Sequence, residues 1–260
     1  MRRAAFAIEL RLRSRVVLAA AGSMIVMCLG VGALFPSLGG TIGRLNLPKG
    51  VADLLGGANY ATIAGWMKSE IVSILGPVIV AGVAITSAAA ATAGEEQARI
   101  TGLLLAHPVR RSRLLLAKAA AIGAGAAVLG LATFAGLVGG VALAGGGLGA
   151  GDIAAQSAHL VFLGLAFGAL ALAIGASTGE RSLAVGVAGA VAGAMFLVNG
   201  FAPLVHAVSW LRYLTFFHYY SGHDPLTRGV DIGDLAVLAV LVALLLAVAV
   251  AGFERRDIRA

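Results

Sequence analysis

From Leu235 to Phe253 the chain runs without a charged or strongly polar residue. A helix crosses the hydrocarbon core of a bilayer with about 20 such residues, because every backbone polar group is satisfied inside the helix and none is left to the lipid. Five further stretches meet the same requirement: residues 16–35, 71–93, 114–143, 153–176 and 182–205. With 60% hydrophobic and 12% charged residues among 260, against about 25% charged in a soluble domain, the chain has too little polar surface to dissolve as a globule. The expected fold class is an all-α integral membrane protein, one transmembrane domain over residues 1–260 with spans 16–35, 71–93, 114–143, 153–176, 182–205 and 235–253.

The basic residues set the orientation. With six alternating spans and the N-terminus inside, Arg2, Arg3, Arg11, Arg13, Arg15, Arg99, Arg110, Arg111, Arg113, Lys118, Arg181, Arg255, Arg256 and Arg259 fall on one side. Arg44, Lys49, Lys68, Arg212 and Arg228 fall on the other. Fourteen against five follows the positive-inside rule and places both termini in the cytoplasm. An odd number of spans would scramble the separation.

A formal charge of +7 would raise nucleic acid as a partner, but the charges sit in short clusters beside apolar runs, with no basic stripe interleaved with aromatics. No nucleic-acid partner is expected. The single cysteine, Cys28, excludes an intrachain disulfide framework. The Ala- and Gly-rich composition, with only Lys49, Lys68 and Lys118 as lysines, points to a high-GC bacterial genome and hence to the inner membrane.

Arg2 and Arg3 resemble a signal-peptide n-region, but Arg11, Arg13 and Arg15 follow before any long apolar run, so a retained anchor is expected. Residues 1–15 read as an interfacial helix, with Ala5, Ile8, Leu12 and Val16 at helical spacing and arginines able to reach lipid phosphates. On the outer side, residues 37–70 and the aromatic-rich 206–233 read as rim segments, since Trp and Tyr favour the headgroup region.

The loop between the second and third spans carries the functional reading. Glu95 and Glu96 suit the first turn of a helix, where the dipole favours negative charge. Ile100, Leu103, Leu104 and His107 recur at i, i+3, i+4 and i+7, an apolar stripe that must be buried against something, and Pro108 ends the helix. This loop, with Glu95, Glu96, Leu103 to Ala106, Pro108, Val109, Arg110 or Arg111 and Leu114 to Lys118, resembles the coupling-helix region of ABC-type-2 (ATP-binding cassette) export permeases. The terminal Phe253 to Ile258 is similar to that family's exit from the last span. Where many members carry a Gly-Thr pair after the acidic residues, this chain has Arg99-Ile100.

The resemblance implies a coupling helix over 95–107, with Glu95, Glu96, Arg99, Ile100, Leu103, Leu104, His107, Pro108 and Arg110 facing a separate cytosolic ATPase. It implies a second permease chain, as homodimer or heterodimer, and outward transport of a hydrophobic or amphipathic drug, lipid or peptide. It makes the first and fifth spans the expected pore lining, where Met24, Met27, Phe35, Phe196, Asn199 and Phe201 offer the larger or polar contacts. ATP and Mg belong to the partner, and this chain is expected to bind no cofactor and to be no enzyme: it lacks G-x-x-x-x-G-K-[ST], with Met67 preceding Lys68-Ser69.

Other chemistries find less support. A diphosphate-handling enzyme needs carboxylate clusters, and Asp231-x-x-Asp234 is the nearest pair. A membrane serine hydrolase would rest on Ser87 and His159 alone. His206, His218 and His223 match no common ligand spacing, so no metal site is expected. An ion-coupled secondary transporter, the main alternative, wants buried carboxylates or an internal repeat, and the six apolar runs contain neither.

Overall fold

The computed structural model describes residues 2–42, 59–95 and 111–255, and for 2–13, 40 and 42 it describes the backbone alone. Among the described residues all regular structure is helical. Six helices are long and apolar enough to cross a membrane: Ser14–Gly39, Ile63–Gly94, Arg111–Leu143, Ala150–Thr178, Arg181–Leu204 and Ile232–Arg255, the first to sixth spans.

The first span belongs to a single helix, Arg2–Ile42, of 41 residues. At ~1.5 Å per residue it is roughly twice as long as the hydrocarbon core is thick. The segment expected as a separate interfacial helix therefore continues into the span without a break, as neither Gly nor Pro interrupts residues 2–21.

The second span starts at Ile63, eight residues earlier than the apolar run at 71 implied. Thr62 caps it, its hydroxyl accepting the Gly65 N–H at 3.1 Å. Of the polar residues that hid this start, Lys68 is compensated: its Nζ lies 3.1 Å from an Asp224 carboxylate oxygen. The span is α-helical over Gly76–Ala89 but wound as π-helix over Lys68–Leu75 and Ala90–Gly94, a rare geometry that concentrates at functional positions. The lengthened spans take in Glu70, Asp152, Asp234 and Glu254, so the expectation of carboxylate-free spans holds only for their apolar centres.

The fourth span is the hub, packing against the second, third, fifth and sixth, with Leu163, Phe167 and Ala171 fully buried. Its most apolar stretch is 67% buried, against 11% in the fifth and sixth spans. Those two spans turn Leu183, Val187, Leu197, Val240, Leu244 and Val248 outward, which only lipid or another apolar surface can cover.

The first and third spans meet backbone to backbone. A Cβ at Gly140 would stand 2.3 Å from the Cys28 carbonyl oxygen, and one at Gly32 would stand 2.1 Å from the Gly140 carbonyl oxygen. In lipid, where apolar surface gains little by leaving its solvent, small residues that let backbones approach are what hold helices together.

Candidate functional site

Of the expected coupling region, the structure describes the end of the second span and the start of the third. Its π-wound turn Ala90–Gly94 is followed by Glu95, which is 8% exposed. From the third span comes Lys118, 2% exposed, whose Nζ lies 2.5 Å from Glu95 Oε2 and also donates to the Ala91 carbonyl oxygen. An ammonium removed from water needs a counter-charge and acceptors, and this turn supplies both.

The same turn touches two more spans. A Cβ on Gly175 of the fourth span would stand 2.3 Å from Thr92 Oγ1, and one on Gly94 would stand 3.3 Å from Arg181 Cδ of the fifth. The junction at Ala90–Glu95 thus binds the second, third, fourth and fifth spans together at the chain-terminal end of the bundle.

Of the predicted coupling residues, Glu95 lies here. Glu96, Arg99, Ile100, Leu103, Leu104, His107, Pro108 and Arg110 lie outside the described residues. Lys118, which sequence reasoning saw only as part of a Leu-rich run, is its partner; the available signal was one lysine set in an apolar helix.

A second feature lies between the second and fifth spans. Pro77, Val78 and Ile85 face Gly189, Gly193 and Phe196 across a groove of about 290 Å³, with Phe217 at its edge. Its lining is apolar, with no charged residue. Ligand cavities run from roughly 300 to 1,000 Å³, so one chain provides a small site or part of a larger one.

Among the residues expected on a substrate path, Phe196 lines this groove and stands edge-on to Phe217, with ring centres 5.6 Å apart. Asn199 accepts a hydrogen bond from the Thr215 hydroxyl at 3.3 Å, and Phe201 is exposed. Met24 is fully buried in the core, Met27 is half-buried against it, and Phe35 stands edge-on to Trp66 at 6.0 Å. The structure does not bring these three first-span residues to the groove.

The aromatic segment 206–233 divides. Its 3-10 helix His206–Leu214 exposes Trp210, Tyr213 and Leu214. The following short helix, Phe216–Ser221, turns inward: Phe216 and Phe217 pack on Phe167, and the Tyr220 hydroxyl donates to the Val72 carbonyl at 2.8 Å. Burial pushes the Tyr220 phenol up from its ordinary value, so it stays a donor to that carbonyl. The segment is half rim and half plug.

No curated protein matches the chain significantly. The model of the family described as "ABC-2 family transporter protein" matches residues 7–258. That match takes in all six apolar spans, the Glu95–Lys118 junction and the groove beside the fifth span. The chain is a membrane-spanning member of the ABC-2 transporter family.

Proposed function

We propose that this chain is the permease half of an ATP-driven exporter in the bacterial inner membrane, working with a second permease chain and with separate cytosolic ATPase subunits. The observation that carries the reading is the Glu95–Lys118 junction. Residues 96–110 connect two spans directly, and the junction at their start is bonded to the third span and packs against the fourth and fifth. A pull or push on that segment by a soluble motor is delivered to the whole bundle rather than dissipated in a loop. Such gating works by biasing a two-state membrane element through a partner bound elsewhere.

The apolar groove supports a hydrophobic or amphipathic cargo. Its small volume, and the thinly covered fifth and sixth spans, support a pore completed by a second chain. ATP and Mg chemistry belongs to the partner ATPase.

The partner is tested by Leu103→Asp, which places a carboxylate on the apolar stripe. Burying it unpaired costs more than the roughly 2–7 kcal/mol of a neutral polar group, so co-purification of the ATPase should fall at least about tenfold while the permease itself remains folded. Undiminished co-purification overturns the docking. Orientation is tested in a Cys28→Ala background. A cysteine at Gln97 should react with a membrane-impermeant maleimide only from the cytoplasm, and one at Gly149 only from outside; the opposite pattern inverts the topology.

A further inference from the structure

At the end of the bundle opposite the chain termini sits a cluster that export as described above does not use. His223 lies in the turn after the helix Phe216–Ser221, and Asp231 and Asp234 lie at the start of the sixth span. Each presents a metal-competent atom, and these atoms lie within 4.8 Å of one another. His223 Nδ1 is 2.6 Å from Asp234 Oδ2 and 3.8 Å from Asp231 Oδ2. Asp231 Oδ1 is held by the Asp234 N–H at 2.9 Å. This cap on the sixth helix fixes the carboxylate and leaves its other oxygen towards His223.

A second observation comes from the fourth span. His159 is fully buried, and its Nδ1 lies 3.1 Å from the Tyr219 carbonyl oxygen. A carbonyl only accepts, so Nδ1 carries the hydrogen, and Nε2 of the neutral ring is a bare lone pair. That Nε2 is buried and has no partner among the described residues. A buried acceptor left unsatisfied needs an explanation, and a cation between two carboxylates, or a water bound to it, supplies one.

We propose that His223, Asp231 and Asp234 bind a divalent first-row transition metal of the Zn²⁺ type, with a metal-bound water donating to the unpartnered His159 Nε2. Mixed imidazole and carboxylate donors suit such an ion, whereas an all-oxygen set would suit Mg²⁺ or Ca²⁺. Spacing along the chain showed only the Asp231-x-x-Asp234 pair, because the two histidines come from separate elements. Asp224, next to His223, pairs with Lys68 of the second span. A bound ion would therefore tie the start of the second span to the fourth and sixth, at the end of the bundle away from the coupling junction.

The test uses the full chain, purified through a histidine-free tag, stripped with a chelator and titrated with Zn²⁺ against a chromophoric competitor. One ion per chain is expected. His223→Ala, at an exposed position, and Asp231→Asn should each weaken binding at least about tenfold. Asparagine caps a helix as well as aspartate does, so the second variant keeps the fold while removing the ligand charge. Absence of saturable binding, or binding that survives both substitutions, overturns the site and leaves a plain His–Asp hydrogen bond at the mouth of the sixth span.

Discussion

Replacing Lys118 by methionine should destabilise the protein by about 3 kcal/mol, the typical cost of breaking a buried ion pair from one side. Glu95 is 8% exposed and would lose the cation 2.5 Å from its Oε2, while the Ala91 carbonyl would lose a donor. The companion Glu95→Gln should cost a similar amount, because it leaves the ammonium without its counter-charge. Combining the two removes both charges, and stability should recover to within about 1 kcal/mol of the original, since neutral replacements for a buried pair are often tolerated. Chemical denaturation in detergent checks this cycle, and a double-variant loss equal to the sum of the two single losses would show that the pair is not coupled. ATP-driven transport should stay impaired in the double variant, because the second and third spans would then be packed together but no longer tied. Full transport with the pair removed would show that it serves folding alone.

The spans were legible because the rule behind them is one-dimensional. Lipid demands an apolar stretch of fixed length, and Leu235–Phe253 announces itself by that measure alone. Lys68 and Glu70 concealed the start of the second span, and the compensation of Lys68 is remote, its partner Asp224 lying far along the chain. The π-wound turns left no mark in composition, since winding responds to what the neighbouring spans accept. Glu95 reads in the sequence as the first turn of a partner-facing helix, whereas it closes the second span and is buried against a lysine that arrives from another span. Along the chain the spacing of His206, His218 and His223 matches no ligand pattern, and the grouping that does occur joins His223 to Asp231 and Asp234 across a turn. Phe196 illustrates the middle case. It was singled out for size and does line the groove, but what makes the groove is the pairing of Pro77 and Val78 with Gly189 and Gly193, which no local pattern encodes.

Glycines offer the sharpest contrast between what a chain can bear in its fold and what it can bear in its assembly. The sequence draws attention to Gly189 and Gly193, spaced as in helix-pairing motifs, yet a Cβ at either meets nothing within 4 Å in this chain. Gly140, unremarked in the third span, has the Cys28 carbonyl oxygen 2.3 Å from where a Cβ would sit. Gly140→Leu therefore drives a side chain into backbone, which cannot rotate aside, and the first and third spans must separate. Overpacking of this kind costs about 1–3 kcal/mol when side chains can yield, and the upper end or beyond is expected here, seen as a lowered melting temperature and loss of the monodisperse peak on size exclusion. Gly189→Leu should leave the melting temperature of the isolated chain within the ±0.5 kcal/mol scatter of surface substitutions. On the two-chain reading it should still abolish transport, because it fills the groove and the face left for the second permease. If Gly189→Leu unfolds the chain while Gly140→Leu is tolerated, the packing of the first against the third span is wrong. If both fold and transport normally, the groove beside the fifth span is neither a cargo path nor a subunit contact.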